Sequence, residues 1–439
     1  MQTVSRFPYF EIEFTKDGAA ADAAQVAALH DFVVQSGTTD LLVISHGWNN
    51  DMADARDLYA RFLACVRAVL DQGLVPAAAT RSFAVMAVLW PSKKFADEEL
   101  IPSGAAALGS AVSIAFVQQQ LDRLDGALQA PDKSPTLARA RTLVPALENS
   151  PKAQEEFANL IRSLLPQTDA QAEDASTDFF NRNGKELMDR LAKPTSTTVR
   201  AAAGGGAAAI PAMPIGGAAG LGETFSGILS AARNLLNYST YYLMKERAGT
   251  VGRRGVNGVL RQLKAARPPL HLHLVGHSFG GRLVTAATDG PAGENALGID
   301  TLTLLQAAFS HNGFASKYDG TNDGGFRAVV TGHKVRGPIL VTHSVQDRAV
   351  GVAYPLASRV SGQDAAALGD ENDRFGGIGR NGAQHTPERV VGTLQPTTMP
   401  YAFQPGKVFN LNADSIIAEH SDICHNEVAF ALLTAIAAS

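Results

Sequence analysis

Short apolar runs recur along the chain, and each is bounded by residues typical of turns. They are Leu41–Ser45, Phe83–Leu89, Leu270–Val275, Leu302–Gln306, Ile339–Thr342 and Val408–Leu411. Most are continuously apolar and rich in β-branched residues, which is the pattern of strands buried on both faces of a sheet. We therefore predict that each run forms a strand of one central sheet.

Helical patterns lie between several of these runs. Helices are predicted at Asp51–Leu70, Gly280–Thr288 and His425–Ala437, the last with apolar residues such as Val428 and Leu432 along one side. Alternation of strand and helix indicates an α/β protein with a doubly wound, mostly parallel sheet.

The interval between Trp90 and Leu270 holds far more chain than one crossover needs. It predicts a large, mainly helical cap insertion, with helices at Ala153–Leu165 and Thr177–Leu191. The chain then divides into a first part of the core at residues 1–96, a cap or lid at 97–239, and a second part of the core at 240–439.

Two stretches of the predicted cap, Ile101–Leu121 and Ala201–Gly222, contain no charged residue. Seven glycines and two prolines in Ala201–Gly222 make its transfer into a membrane weak and its helix propensity poor. Pro102, Gly104 and Gly109 disfavour a span in the first stretch. We expect no stable membrane span, and instead two segments that line or gate an entrance for a hydrophobic or acyl substrate.

Composition narrows the class of protein. The chain has 439 residues and a formal net charge of −4, and it lacks the basic runs that grip a phosphate backbone, so no nucleic-acid partner is expected. Residues 1–14 lack the apolar core of a secretory signal, which favours a cytoplasmic protein. Cys65 and Cys424 have no spacing suited to disulfides or structural zinc, and we expect both to be small buried hydrophobes.

The run Leu270–Val275 leads directly into Gly276-His277-Ser278-Phe279-Gly280-Gly281 and then into a helical pattern. This is a G-x-S-x-G motif. A strand that runs straight into a helix forces a sharp turn, and Gly276 and Gly280 remove side chains that would collide there. Ser278 is therefore the candidate nucleophile, expected to lie exposed at the strand tip. The alternative is a glycine-rich turn that contains a serine by chance.

A serine nucleophile needs a histidine base and an acid that orients this histidine. Asp347 follows the strand at Ile339–Thr342, at the edge where a doubly wound sheet places its ligand groups. Two histidines after the last strand compete for the role of base. His420 lies in the loop and is favoured, whereas His425 lies where the final helix begins and could cap that helix or face solvent. The order Ser278, Asp347, His420 is the one expected for this architecture.

Acyl transfer also needs donors for the oxyanion of the tetrahedral intermediate. The strand Leu41–Ser45 ends in His46-Gly47-Trp48, where glycine allows the backbone to turn towards the site. The backbone N–H groups of Trp48 and Phe279 are the candidate oxyanion hole. A simple turn that ends the strand is the alternative for His46-Gly47.

Through these residues the chain resembles the α/β-hydrolase fold serine hydrolases, in particular the esterase and lipase group. The resemblance covers about Thr39–Trp90 and Tyr241–Ala437. It implies the roles given above to Ser278, Asp347 and His420. We expect hydrolysis of a carboxylic ester through an acyl-enzyme on Ser278, without metal or organic cofactor, and a small-molecule ester or lipid-like substrate. The resemblance does not give the identity of that substrate. Many members carry a lid after the sixth strand, whereas the insertion here precedes the strand of the nucleophile.

Alternatives remain beside this interpretation. The same triad serves amidases, thioesterases and acyltransferases, and a non-catalytic interaction or membrane-docking protein on a hydrolase scaffold is the rival from another class. His271, His273 and His277 could suggest a metal, although packed neutral histidines are favoured. A basic cluster before the nucleophile strand is interpreted as a solvated helix face, with contact to an anionic headgroup or an acidic substrate as the alternative. Its members are Lys245, Arg247, Arg253, Arg254, Arg261, Lys264 and Arg267.

Overall fold

The computed structural model of the chain describes residues 2–47, 51–92, 110–128, 131–167, 170–192, 227–347, 360–361 and 374–439. The chain forms two compact units, one of residues 1–94, 244–354 and 369–439 and the other of residues 95–243 and 355–368. The second unit contains most of the predicted insertion at 97–239. It also contains 355–368, which the sequence analysis assigned to the core.

The first unit is built on a nine-stranded sheet. Its strands are β1 (Gln2–Val4), β2 (Phe7–Glu13), β3 (Asp40–Ser45), β4 (Phe83–Leu89), β5 (His271–His277), β6 (Thr301–Leu305), β7 (Ile339–His343), β8 (Arg389–Thr393) and β9 (Val408–Asn412). Their order in the sheet is β1-β2-β4-β3-β5-β6-β7-β9-β8. Only the pairing of β1 with β2 is antiparallel. The protein is therefore α/β with a mostly parallel sheet, as the alternating pattern predicts.

All six predicted strands are present, and their ends match the prediction or differ from it by at most two residues. Three further strands, β1, β2 and β8, were not predicted from the apolar runs. The apolar pattern of β2 is interrupted by Pro8, Glu11 and Glu13. β8 is a short edge strand with Val391 exposed to solvent. Neither has the continuous apolar pattern of a strand covered on both faces.

Helices alternate with the strands. In chain order they are α1 (Ala23–Gln35), α2 (Met52–Asp71), α3 (Pro76–Ala79), α4 (Ser110–Leu128), α5 (Ser134–Leu143), α6 (Pro151–Ser163), α7 (Ser176–Asn181), α8 (Gly184–Leu191), α9 (Ile228–Thr250), α10 (Asn257–Ala266), α11 (Phe279–Asp289), α12 (Arg327–Thr331), α13 (Ile378–Asn381) and α14 (Asn426–Ala437). The π-helical segment Val251–Val256 joins α9 to α10, and 3₁₀ turns lie at Pro131–Lys133, Val144–Ala146 and Ala172–Asp174.

Helices cover both faces of the sheet. Residues of α2 and α14 share one core cluster with alternate strand residues such as Leu42 and Ile44 of β3. α11 contacts β3 and β5, and none of its buried residues belongs to that cluster, so it covers the opposite face. Asp51 caps α2, where its carboxylate accepts hydrogen bonds from the N–H groups of Ala53 and Asp54.

The second unit contains α4 to α8 and the first part of α9. The predicted helix Thr177–Leu191 is divided into α7 and α8, because Arg182 is extended and Asn183 starts a new helix by accepting a hydrogen bond from Glu186 N–H. Part of the charge-free stretch Ile101–Leu121 lies in α4, whereas residues 101–109 and all of Ala201–Gly222 lie outside the described residues. No helix in the described ranges is long and apolar enough to cross a membrane.

The basic cluster around α9 and α10 is solvated only in part. Arg254 is exposed, but the expectation of a solvated face is wrong for two other members. Lys245 and Arg247 are buried. The guanidinium of Arg247 donates a hydrogen bond of 2.7 Å to the carbonyl of Pro91, and burial lowers its pKa to about 10. Lys264 Nζ donates to the carbonyl of Leu270 at 2.6 Å. These cations satisfy carbonyl groups within the first unit.

The π-helical segment packs closely against α11. A Cβ atom at Gly252 would lie 2.1 Å from the carbonyl oxygen of Leu283, a backbone atom that cannot move aside easily. Gly258, in the adjoining α10, has no neighbour within 4 Å of the same position. Substitution of Gly252 by alanine therefore tests close packing, whereas the same substitution at Gly258 tests helix propensity alone.

We expect Gly252→Ala to destabilise the first unit by about 2 kcal/mol or more, because it forces α11 away from the segment. Gly258→Ala should stabilise by about 0.5 to 1 kcal/mol through helix propensity alone. Urea unfolding measures both free energies. Equal effects of the two substitutions would contradict the close packing.

Candidate functional site

The predicted site residues follow four strands that end at the same edge of the sheet. Gly47 follows β3, Ser278 follows β5, Asp347 follows β7 and His420 follows β9. β3 and β5 are neighbours, but β3 connects to β4 on one side and β5 to β6 on the other. Such a reversal opens a crevice at the carboxyl ends of the strands, where α/β proteins bind ligands.

Ser278 forms a one-residue turn between β5 and α11. Its φ of 55° and ψ of −126° lie outside the regions that side chains favour, at a cost of about 1 to 3 kcal/mol. Backbone hydrogen bonds hold it there. Its N–H donates to Leu305 at 3.1 Å, and its carbonyl accepts from Gly281 and Ala308, each at 2.9 Å.

Glycines allow the backbone to approach this turn. A Cβ atom on Gly276 would lie 2.3 Å from the carbonyl oxygen of Gly280, and one on Gly280 would lie 2.2 Å from that of Ser45. A Cβ atom on Gly47 would lie 2.4 Å from Ser278 Cβ and 2.9 Å from its Oγ. The end of β3 therefore lies directly against the serine.

Ser278 is buried, with 5% of its surface accessible, so the expectation of an exposed serine at the strand tip is wrong. The loop after β3 reaches the serine through Gly47, and the loop after β6 reaches it through Ala308. A turn enclosed by two loops loses the exposure that the strand-to-helix turn alone would give.

Asp347 and His420 lie together. His420 Nδ1 is 2.8 Å from Asp347 Oδ2, and the aspartate side chain is fully buried. Since a carboxylate accepts hydrogen bonds, Nδ1 carries the proton in this pair, and Nε2 is the ring nitrogen that can act as acceptor. Arg380 supports the loop after β7 that contains Asp347, because its guanidinium donates hydrogen bonds to the carbonyls of Val345 and Asp347.

His425, the competing base, lies elsewhere in the loop. It immediately precedes α14, its side chain makes no capping hydrogen bond, and its Nε2 lies 2.8 Å from Asp422 Oδ1. This pair is partly exposed. The structure thus brings Asp347 together with His420 and not with His425.

Ser278 Oγ and His420 are not hydrogen bonded to one another in this structure, although both belong to its described part. His277, the residue before the serine, contacts His420. His277 Nε2 lies 2.9 Å from the backbone oxygen of His420, and the two rings lie 4.8 Å apart.

The loop after β3 is fixed by His46. Its N–H donates to the hydroxyl of Tyr59 at 2.7 Å, its Nδ1 lies 2.9 Å from the carbonyl of Gly47, and its ring stacks on Trp90. Burial lowers the pKa of His46 to about 4, so it is neutral at pH 7. Trp48, one predicted oxyanion donor, lies outside the described residues. Phe279, the other, is buried and begins α11.

The histidines at the start of β5 belong to the opposite end of the strand. His271 Nδ1 is 3.1 Å from Asp300 Oδ1, and the buried His273 is 2.9 Å from Asp40 through Nε2. Within the residues that the structure describes, no group of three or more metal-ligating side chains is present. The pairs hold strand ends together, as packed histidines do.

Cys65 lies in α2, and Cys424 directly precedes His425. Both are free, half-buried and packed at the margin of the core cluster that contains α2 and α14. Burial raises the pKa of both thiols, that of Cys424 to about 11. They behave as weakly reactive hydrophobic side chains.

His277 and Arg380 are the site residues that the sequence analysis missed. His277 occupies a variable position of G-x-S-x-G, and Arg380 lies far along the chain from Asp347. In the sequence, the one signal for either residue is the position of His277 beside the serine. Burial lowers the pKa of His277 to about 3, with the neighbouring His420 as a smaller cause.

Stability should fall in acid because His46 and His277 stay neutral in the folded protein. Unfolded histidines bind a proton near pH 6.5, so between pH 6.5 and about 4 the unfolded chain holds more protons than the folded one. Each histidine then lowers the unfolding free energy by about 1.4 kcal/mol per pH unit.

Urea unfolding followed by tryptophan fluorescence at pH 8, 7, 6 and 5 measures this dependence. In His46→Gln, the slope of the unfolding free energy against pH should be smaller by one proton below pH 6.5. Between pH 7 and 8, residue 46 should contribute no pH dependence in either protein. An unchanged acid slope in His46→Gln would show that His46 is not held neutral.

Comparison of the chain with models of protein families, with curated proteins and with solved structures found no match.

Proposed function

We propose that this protein is a serine hydrolase of the α/β-hydrolase type, which cleaves a carboxylic ester through an acyl-enzyme on Ser278. His420 is the general base and acid, and Asp347 orients it. The observation that carries the proposal is the 2.8 Å contact between His420 Nδ1 and Asp347 Oδ2, at the same sheet edge as a serine in a strained turn.

The strained turn supports a role for Ser278 beyond packing. A serine with positive φ costs stability that glycine at the same position would not cost. Such strain persists where the surrounding structure enforces it, and it is concentrated at functional sites. Here the strained residue lies at the carboxyl ends of β3 and β5, with its side chain against Gly47.

The chemistry follows from the proton positions. Because Nδ1 of His420 is bound to Asp347, Nε2 is left to accept the proton of Ser278 as Oγ attacks the ester carbonyl. The imidazolium that forms is stabilised by the buried carboxylate. It then returns the proton to the leaving alcohol, and water repeats the sequence on the acyl-enzyme.

The negative charge that develops on the carbonyl oxygen needs donors close to Ser278. The N–H of Phe279 at the start of α11 is the first candidate, since the helix N-terminus also carries a partial positive charge. Gly47 lies against the serine, so the residue that follows, Trp48, is the second candidate. We propose that these two N–H groups form the oxyanion hole.

The reaction class is better supported than the substrate. The preference for a hydrophobic acyl group depends on Ile101–Leu121 and Ala201–Gly222, most of which lie outside the described residues. It stays a prediction from the sequence, as does a cap over the site. Amide, thioester and acyl-transfer chemistry share the same acyl-enzyme and differ in what leaves or accepts the acyl group.

A fluorophosphonate probe tests the proposal directly, because it phosphonylates an activated serine without requiring knowledge of the substrate. The folded protein should be labelled at Ser278, as identified by mass spectrometry of the peptide. Absence of labelling in a folded protein would instead favour a non-catalytic interaction protein on this scaffold.

Ser278→Ala and His420→Ala should each lower hydrolysis of p-nitrophenyl acetate by about a millionfold, and the double variant should lose little more, because the residues act as a unit. His425→Ala is the matched control from the same loop and should retain activity. If His425→Ala abolished turnover and His420→Ala did not, the assignment of the base would be wrong.

Ser278→Gly separates the strain from the chemistry in the same series. It removes the same hydroxyl as Ser278→Ala and accepts the positive φ without strain. It should be equally inactive and unfold at a higher urea concentration than Ser278→Ala.

The close contact at Gly47 makes a separate prediction. In Gly47→Ala, the new methyl group overlaps the side chain of Ser278 and displaces Oγ, which should lower the rate of fluorophosphonate labelling by about a hundredfold. Gly37→Ala is the control from the loop that leads into the same strand, where a Cβ meets no neighbour within 4 Å. Equal labelling rates in the two variants would exclude this approach to the nucleophile.

A further inference from the structure

His277 connects the strand of the nucleophile to the loop of the base. It is the last residue of β5 and directly precedes Ser278. Its Nε2 lies 2.9 Å from the backbone oxygen of His420, and its ring lies 4.8 Å from the His420 ring. The side chain is almost fully buried.

The hydrogen bond fixes the protonation of His277. A carbonyl oxygen can only accept, so Nε2 carries the proton and donates it. Burial lowers the pKa of His277 to about 3, which keeps the ring neutral. Nδ1 is then an acceptor, and it is buried without a hydrogen-bond partner among the described residues.

A buried acceptor without a partner is unfavourable. If the side chain at position 277 only filled the space between β5 and the loop, an apolar residue there would make the folded protein more stable. The imidazole has one polar contact to offset this cost, the donation from Nε2 to the carbonyl of His420. The value of His277 therefore lies in where it holds the base.

Two contacts fix His420 from two strands. Asp347, after β7, holds its ring, and His277, at the end of β5, holds its backbone. Without the contact to His277, the His420 ring can still reach Asp347. The distance from His420 Nε2 to the strand that carries Ser278 is then no longer fixed. Proton transfer is sensitive to this distance.

We propose that His277 is a positioning residue. It holds the backbone of His420 so that the imidazole of His420 faces Ser278, the residue that follows His277. This inference rests on the proposed hydrolase function. His277 itself takes no proton from the serine and touches no reacting atom.

Two substitutions separate the donor from the space it fills. His277→Gln places an amide N–H close to the position of Nε2 and retains the hydrogen bond, whereas His277→Leu fills a similar volume without a donor. His425→Leu is the matched control, a histidine of the same loop that pairs with Asp422. Active sites are counted by complete reaction with the fluorophosphonate, and kcat and KM are measured with p-nitrophenyl acetate.

We expect His277→Leu to lower kcat per labelled site by about tenfold, the effect of one hydrogen bond, with little change in KM. His277→Gln should recover most of this loss, and His425→Leu should match the unmodified protein. A purely structural role would lower the number of labelled sites and leave the kcat of each site unchanged.

If His277→Leu does not fold, His277→Asn replaces it, since its shorter amide does not reach the carbonyl. The proposal then requires a kcat about tenfold lower for Asn than for Gln. Equal kcat values for the variants with and without a donor would overturn it. Failure of the hydrolase function is a different result, because the unmodified protein would then not be labelled at all.

Discussion

The backbones of α11, β3 and β5 touch at two glycines, and the position of Ser278 depends on that contact. Gly280 lies against the end of β3, and Gly276 lies against Gly280. With the helix pressed onto the strands, the chain has one residue in which to reverse direction. Ser278 therefore takes a strained conformation, and hydrogen bonds to the chain after β6 hold it there. Backbone atoms pack without room to relax, so these contacts fix the backbone of Ser278.

Burial keeps two histidines close to Ser278 in the chain or in space, His46 and His277, uncharged. His46 and His277 are neutral because a buried imidazolium would be poorly solvated. Each holds a loop in place through one ring nitrogen, His46 through Nδ1 and His277 through Nε2. The pair formed by Asp347 and His420 is thus free of cationic competition from these two neighbours. In the proposed reaction, an imidazolium on His420 faces a carboxylate in an environment of low dielectric, where their attraction is strongest.

Much of the core could be predicted from the sequence, since strands covered on both faces have continuous apolar runs and the motif around Ser278 lies between such a strand and a helix. The edge strand β8 could not, because an exposed strand needs no apolar run. The burial of Lys245 and Arg247 was also hidden, since the carbonyl of Pro91 that accepts from Arg247 is distant in the chain. The sequence favoured His420 over His425 by its place in the loop, whereas the pairing of Asp347 with His420 could be found only in the folded chain. Trp48 and Ala201–Gly222 stay predictions from the sequence.

The π-helical segment Val251–Val256 also sets the phase of α10. An α-helix turns by about 100° per residue, and the wider turn of a π-helix takes up about one residue more than an α-helical turn. The side chains that α10 buries, including Val259, Leu260 and Leu263, therefore face inward only because the extra residue is present. Loss of a single residue here would rotate α10 by more than a quarter turn and direct its polar side inward. The length of this segment is thus under a stricter constraint than the identity of most residues in α10, and an insertion or deletion would be tolerated far less than a substitution.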